Sequence, residues 1–423
     1  MTKQYSFKIF SNVKHLLLGF VFLVSIQTGN AQITPEISCW VINTTGATGY
    51  NGIPSNVQTV QYSTNNVYVS CTCIPGYSIG PWQGNPNLAS NQNFVFKITR
   101  NPQQNTGTLT RVGLGHTGVW SNGVSVFNSD DGMTYNNQGV WNRNAYFWEG
   151  NSFDNCLGHP QQQGEYHHHV NPVCLYDDTD SSQHSPIIGY AFDGFPIYGA
   201  YGFSDTAGGG NITRMRTSYQ LRNITDRTTL PNGSVASSPG PAINSTYPLG
   251  AYIQDYKFVP GSGNLDIHNG RFCVTPDYPL GIYAYFVTID STLTPAFPYT
   301  MADTYYGVVQ AGNTGPGGGH VVISEPTTVY NPTTGISSPE PEIRFSLMNN
   351  PVASYAHIYI DPTSANNIQA QLYTMQGRLV KSFENFQPSI LYSLDLTEQA
   401  AGIYLLNLSS GGNKIVQKIV KGE

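Results

Sequence analysis

The sequence contains few charged residues. Lys, Arg, Asp and Glu together make up 10% of the 423 residues, against roughly 25% in an average soluble domain. Aromatic residues make up 12%. Low charge combined with many aromatics excludes intrinsic disorder, which needs high net charge and few aromatic side chains. Beyond the N-terminal segment there is no run of 18 apolar residues, so we expect no membrane span in the mature chain.

Basic residues are scarce in the central part of the chain. Residues 32–341 have 10 basic and 19 acidic residues, a net charge of −9. Such a surface repels polyanions, so we expect neither nucleic acid nor an anionic membrane as a partner.

The first 31 residues have the features of a secretion signal. Three lysines precede an apolar run from Leu16 to Ile26, and small residues follow up to Ala31. This order predicts a signal peptide at 1–31 with cleavage after Ala31. We therefore expect the mature protein outside the cytoplasm, where disulfides form.

The rest of the chain has the pattern of short β-strands. Segments such as 57–63, 66–70 and 94–99 alternate apolar and polar residues and are separated by Gly, Pro and Asn clusters. No long stretch has a 3.6-residue period, and 205–230 has room for one short helix at most. The sequence predicts a mainly β protein, with a β-rich domain at 32–325.

A linker and a second, smaller domain are predicted at the C-terminus. Residues 326–341 are rich in Pro, Thr and Ser, which is typical of an interdomain linker. Residues 342–423 contain short strands separated by turn residues, a pattern that favours a small Ig-like β-sandwich.

The C-terminal segment resembles the sorting domain of type IX secretion cargo. The resemblance rests on 345–351, 372–380, 402–406 and 414–421, with Met348-Asn349 where the family usually has Tyr-Pro. It implies that the type IX machinery recognises residues 342–423. It also implies transport via the periplasm to the cell surface or the medium.

Histidines are concentrated in one segment. Five of the ten histidines lie between 159 and 184. If 165–170 is a strand, His167 and His169 face one side, and Tyr166 and His168 face the other. Two imidazoles at positions i and i+2 can chelate one metal ion, and Cu or Zn suits imidazole nitrogen best.

Other side chains are available to complete such a site. His159 and His184 flank the predicted strand and are candidate further ligands. Asp193 can supply a carboxylate or orient a ligating histidine. The alternative is that the His and Tyr side chains form a hydrogen-bonded core without metal.

The same region resembles the YHYH family of secreted proteins. The matching segments are 164–169, 184–199, 265–271 and 275–288, within a family block of about 115–305. The third position of the Tyr-His-Tyr-His motif is His168 here. Many relatives have a second motif copy, where this chain has Tyr-Ala-Tyr-Phe at 283–286. The resemblance implies a β module and brings no activity with it.

Six cysteines lie in the mature chain, an even number that favours disulfides. Cys156 and Cys174 bracket the histidine strand, and their pairing would close a loop of about 19 residues. We expect Cys71 and Cys73 to pair with Cys39 and Cys273, or else to bind a metal ion as thiolates.

Three functions follow from these features as hypotheses. The first is a surface protein that binds Cu or Zn through the histidine cluster. The second is an enzyme in which that metal activates water or oxygen. The third is a metal-free adhesion module that contacts a glycan or a protein through Tyr and Trp side chains.

Overall fold

The computed structural model describes residues 33–315, 318–332, 343, 345–360, 364, 367–375, 377–410 and 413–422. The predicted signal at 1–31 lies outside these residues. The described part of the chain is mainly β, as predicted, with 37% strand and 5% helix. The chain divides into two compact units, Met1–Pro332 and Thr333–Glu423.

The strands of the first unit are short and are named in chain order. They are β1 (Val57–Tyr62), β2 (Asn66–Cys71), β3 (Phe94–Thr99), β4 (His116–Trp120), β5 (Ser125–Phe127), β6 (Asp130–Thr134), β7 (Asn142–Asn144), β8 (His159–Pro160), β9 (Tyr166–His168), β10 (Ile187–Ala191), β11 (Pro196–Tyr198), β12 (Tyr201–Asp205), β13 (Gly209–Arg214), β14 (Tyr219–Leu221), β15 (Tyr256–Phe258), β16 (Gly270–Cys273), β17 (Ile282–Phe286) and β18 (Thr328–Tyr330).

Helical structure in the described residues is limited to single turns. The α-helices are α1 (Pro35–Ser38) and α2 (Ala145–Trp148), and the 3-10 turns are Tyr50–Gly52, Tyr135–Asn137, Gly150–Ser152 and Ile253–Asp255. The segment 205–230, which had room for one short helix, contains parts of β12 to β14 instead. Among the residues that the structure describes, no helix is long and apolar enough to cross a bilayer.

A four-stranded antiparallel sheet has the order β18-β1-β2-β3. Strand β3 shows the alternation that the sequence predicts. Phe94, Phe96 and Ile98 are buried, and the residues between them are half-buried. The edge strand β18 lies within the segment that composition assigns to the linker. Its pairing with β1 keeps 328–330 on the first unit.

The central sheet has eight strands in the order β16-β17-β11-β10-β4-β5-β9-β8. Every residue of β4, β10 and β11 is buried. These strands therefore read as continuous apolar or small-residue runs, because both faces of the sheet are covered. The sheet is mixed, since β5 and β9 run parallel, as do β11 and β17. Its β8 edge carries the histidine cluster.

The second unit contains the strands β19 (Phe345–Leu347), β20 (Tyr355–Ile360), β21 (Ile368–Thr374), β22 (Leu379–Phe386), β23 (Leu391–Asp395), β24 (Gly402–Ser410) and β25 (Asn413–Lys421). They form two sheets, β19-β20-β23 and β22-β21-β24-β25. Side chains from both sheets, including Ile358, Leu372 and Leu406, share one apolar core. This arrangement is the predicted Ig-like β-sandwich.

One disulfide joins Cys156 to Cys174, as the sequence predicts. The other four cysteines, Cys39, Cys71, Cys73 and Cys273, are free thiols. The expected pairing among them is therefore wrong. Three of them are fully buried members of one apolar core, in which a thiol packs as a small hydrophobic side chain.

Candidate metal centre

The histidine cluster is built on the β8–β9 hairpin. His159 on β8 pairs directly with His167 on β9. His169 follows β9 two residues later, on the same face as His167, because side chains alternate along an extended chain. His168 points to the opposite face, where its ring lies beside Tyr166 and Trp120.

Three buried imidazoles meet on this face. The Nε2 atoms of His167 and His169 are 3.1 Å apart. The potential ligand atoms of His159, His167 and His169 all lie within 4.8 Å of one another. Two nitrogens bound to one tetrahedral zinc ion are about 3.4 Å apart, given Zn–N bonds of about 2.0–2.1 Å. His167 and His169 are therefore already at chelating distance, and His159 needs only a small approach.

Each imidazole has an acceptor at its Nδ1 atom. The Nδ1 of His167 donates to the carbonyl oxygen of Glu165 at 3.1 Å, and the Nδ1 of His169 donates to that of Asn128 at 2.5 Å. The Nδ1 of His159 is 2.7 Å from the Ser152 hydroxyl oxygen.

The Ser152 hydroxyl donates its own proton to a backbone carbonyl oxygen, so it accepts from His159. With all three protons on Nδ1, the three Nε2 atoms carry lone pairs. Those of His167 and His169, 3.1 Å apart, repel each other unless a proton or a metal ion lies between them. An Nδ1 hydrogen bond to an oxygen acceptor is also how proteins usually orient a metal-binding histidine.

Burial keeps two of these imidazoles neutral. Loss of solvation lowers the pKa of His159 to about 4, with a further contribution from the nearby His169. Burial, followed by the neighbouring imidazoles, also places the pKa of His167 well below its ordinary value. Neutral imidazole is the form that binds metal ions.

A carboxylate stands beside the three histidines. The Oε2 atom of Glu149 is 3.2 Å from Nε2 of His169 and 3.7 Å from Nε2 of His159. Burial, the largest influence, raises the pKa of Glu149, but contacts with His169, His159 and Arg143 outweigh it and lower the pKa overall. An ionised carboxylate beside these nitrogens is stabilised by a proton on Nε2 of His169 or by a bound metal ion. Glu149 thus adds one carboxylate oxygen to the three imidazole nitrogens, as a ligand or as a base beside the metal position.

A second carboxylate, that of Asp154, fixes the loop that precedes His159. Asp154 accepts hydrogen bonds from the backbone amides of Gly80, Cys156 and Gly158 and from the side chains of Trp82 and Tyr166. These bonds fix the turn directly before His159 and the side chain that begins β9.

Gly158 is required at this turn for space. A Cβ atom at Gly158 would come within 2.4 Å of the Tyr166 hydroxyl oxygen. The Cys156–Cys174 disulfide ties the same turn to the chain beyond β9.

The cluster opens into a cleft of about 670 Å³. Its walls include His159, His167, His169, Glu149 and the turn 83–87. A cleft of this size lies within the range of about 300–1,000 Å³ for small-molecule sites. A metal ion at the cluster would thus face the cleft.

The other two predicted ligands lie elsewhere. His184 packs between Tyr198, Phe203 and Phe286, and its Nδ1 donates to the carbonyl oxygen of Ser185. The structure does not bring it to the three histidines.

Asp193 is fully buried and accepts hydrogen bonds from the Tyr285 hydroxyl and the amides of Gly307 and Phe195. Its partners hold the turn between β10 and β11 against the 305–307 segment. This is a structural role, and the side chain is not directed at the cluster.

Comparison with known families gives two matches. Residues 95–298 match the family described as YHYH protein, and residues 349–422 match the secretion system C-terminal sorting domain. The chain is a YHYH-domain protein with a C-terminal sorting domain. It has no match among the curated proteins. The sorting domain indicates a secreted or cell-surface protein that is handled by the type IX secretion machinery.

The two positions of the Tyr-His-Tyr-His motif lie on strands far apart in the central sheet. The motif residues 166–168 form β9, the seventh strand of the central sheet, whereas 283–286 belong to β17, the second strand. There the hydroxyl groups of Tyr283 and Tyr285 donate to Asp266 and Asp193. The histidine cluster therefore does not depend on the second motif copy.

Sequence reasoning missed Glu149 and Asp154. Neither lies in a recognisable motif, and both are brought to the cluster by the short turns between β7 and β8. The available signal was weak: two acidic residues precede the histidine segment in a part of the chain that is poor in charge.

A serine motif before the YHYH match lacks the structural context of a catalytic nucleophile. Gly76-Tyr77-Ser78-Ile79-Gly80 has the Gly-x-Ser-x-Gly spacing of a nucleophile turn. Ser78 lies in an irregular loop after β2, with no helix following it. The strand–turn–helix context that this motif requires is therefore missing in this described segment.

Proposed function

We propose that this secreted YHYH-domain protein binds one divalent metal ion, Zn or Cu, through Nε2 of His159, His167 and His169. The observation that carries the proposal is the set of Nδ1 hydrogen bonds, which leaves the Nε2 atoms of three clustered imidazoles available as ligands. Glu149 adds a negative charge at the same point. A hydrogen-bonded core would instead pair a donor with each lone pair.

The open side of the cluster favours a metal with an exchangeable position. Three protein nitrogens leave one tetrahedral position for water or a ligand, as in catalytic zinc sites. Glu149 is placed to accept a proton from water bound there. This supports a metal-dependent hydrolytic or redox enzyme as the second candidate function.

Metal stoichiometry tests the proposal. The secreted chain, purified without a histidine tag, is loaded with Zn or Cu in turn, and bound metal is measured by mass spectrometry after gel filtration. We expect about one ion per chain in the wild type and in His320→Ala, an exposed histidine outside the cluster. We expect none in the His167→Ala/His169→Ala variant.

Equal metal contents in the wild type and the double variant would refute the site. Cobalt substitution then separates a binding protein from an enzyme. A visible spectrum that shifts on addition of azide indicates an exchangeable fourth position, whereas an unchanged spectrum indicates a closed site.

The route of export belongs to the same proposal. We expect the chain to cross the inner membrane by its signal at 1–31, enter the periplasm and leave through the type IX system. Deletion of 342–423 should trap the chain in the periplasm, which immunoblots of cell fractions would show.

A further inference from the structure

The cleft beside the three histidines has an unusual lining. Among its 21 described lining residues there is no Lys or Arg. Its charged groups are three carboxylates, Asp130, Asp131 and Glu149. The pKa of Asp131 is raised to about 6, chiefly by burial and in part by the charge of Glu149. Both effects show that another negative charge is poorly tolerated in this cleft.

Six amide side chains supply most of the remaining polar surface, Gln83, Asn85, Asn87, Asn151, Gln161 and Gln162. Asn85 is occupied, because it donates to the Pro160 carbonyl oxygen at 2.9 Å. Gln161 is also occupied, because it donates to Glu165 at 2.7 Å.

Three of the amides are exposed and free. Gln83, Asn151 and Gln162 make no side-chain hydrogen bond with any other described residue. An amide side chain presents both a donor and an acceptor. A hydroxyl group is likewise both, so the free amides match a ligand rich in hydroxyl groups.

Charge balance excludes an anionic ligand. A divalent ion held by three neutral imidazoles, together with three carboxylates, leaves a net charge near −1. Arg143, which lies against Trp148, is already paired with Asp131 at 3.9 Å. An acidic ligand would therefore find no unpaired guanidinium or ammonium group among the described lining residues, and such pairing is how proteins usually bind carboxylate and phosphate groups.

Aromatic surface completes the lining. Trp148 lies in the cleft wall with its indole Nε1 donating to the Ala251 carbonyl oxygen at 2.7 Å. The guanidinium of Arg143 lies 4.4 Å from the ring centroid. These contacts hold the indole rigidly, and the part of the ring that borders the cleft, away from Arg143, offers apolar surface of the kind that suits the C–H face of a sugar ring.

We infer that this cleft takes a neutral, hydroxyl-rich ligand, an uncharged oligosaccharide, beside the metal ion. The inference rests on the proposed metal site and names the substrate class for it. The cleft is large enough for a short oligosaccharide, and a secreted protein meets such polymers outside the cell.

A charge series of trisaccharides tests the inference. The zinc-loaded, secreted chain is titrated by calorimetry with neutral trimers of glucose, xylose and N-acetylglucosamine, with the glucosamine trimer, which carries amines, and with trigalacturonate. We expect at least one neutral trimer to bind tenfold or more tightly than trigalacturonate, and at least as tightly as the glucosamine trimer. Tighter binding of a charged trimer, or no binding of any neutral trimer, would overturn the inference.

Amide variants connect binding to the cleft. We expect Gln83→Ala/Asn151→Ala/Gln162→Ala to weaken neutral-trimer binding between tenfold and a hundredfold, since a neutral hydrogen bond is worth up to about tenfold in affinity. The exposed control Asn211→Ala/Gln220→Ala/Asn223→Ala should bind as the wild type does. Equal affinity of the two triple variants would also overturn the inference.

Zinc content measured on the same samples separates the two proposals. A chain that holds zinc but fails the trisaccharide series refutes the substrate class alone. A chain that holds no zinc refutes the proposed metal site.

Discussion

Asp154 gives the sharpest prediction about stability. Its buried carboxylate, 6% exposed, accepts hydrogen bonds from three backbone amides, from the Trp82 indole and from the Tyr166 hydroxyl. Asp154→Asn keeps one oxygen and replaces the other with an NH₂ group. Oδ1 and Oδ2 each accept from several donors. In either orientation of the asparagine amide, its NH₂ group therefore faces N–H or O–H groups that have lost their acceptor.

The expected loss follows from the bonds that are broken. A hydrogen bond to a charged acceptor contributes about 1.5–3 kcal/mol, and at least two are lost in either orientation. We expect Asp154→Asn to lower the unfolding free energy of the first unit by about 3–6 kcal/mol. This is a large part of the usual 5–15 kcal/mol.

Tryptophan fluorescence during urea unfolding is the assay, because all five Trp residues lie in the first unit. Asp226→Asn, an exposed aspartate that caps a turn, is the matched control and should unfold as the wild type does. An Asp154→Asn variant within 1 kcal/mol of the wild type would refute the reasoning.

Three further predictions concern the same unit. Cys156→Ser/Cys174→Ser, which opens a disulfide of sequence separation 18, should cost about 3 kcal/mol by the chain-entropy relation. Urea unfolding unchanged by the double substitution or by reductant would contradict it. Burial raises the pKa of Asp193 to about 6 from 3.8, so the folded state binds more protons than the unfolded state between these values. Stability should therefore fall as pH rises through this window, by about 3 kcal/mol relative to Asp193→Asn. Parallel pH profiles for the two proteins would refute it. His168 is fully buried, and neither of its ring nitrogens makes a hydrogen bond of normal geometry. His168→Phe should therefore raise the thermal midpoint, because it removes a desolvation cost of about 1–3 kcal/mol. A lowered midpoint would show that the imidazole has a hydrogen-bond partner.

Much of the local structure could be read from the sequence. The alternation of 94–99 follows from a strand with one buried face, and the strands of the C-terminal sandwich follow from the same period. The common face of His167 and His169 needs only the twofold repeat of an extended chain. The Cys156–Cys174 pair was predictable because both residues flank one short segment.

The differences from the sequence-based expectations have a physical cause in the tertiary arrangement. His184 and Asp193 lie near the histidines in the chain, but they flank β10, and the order of the central sheet places β4 and β5 between β10 and the β8–β9 hairpin. The four free thiols were expected to pair because an even count suggests disulfides. Whether two thiols meet depends on core packing, which no count contains.

The sequence by itself determined the β class, the two domains' families and the pair of histidines on one strand face, because these depend on local period and on contiguous motifs. Only the tertiary structure decided that His159 and Glu149 join that pair, that three Nδ1 protons are held by oxygen acceptors, and that the cluster opens into a cleft without a basic residue among its described walls. Those features come from segments brought together by sheet order and by turns, and sequence distance carries no information about them.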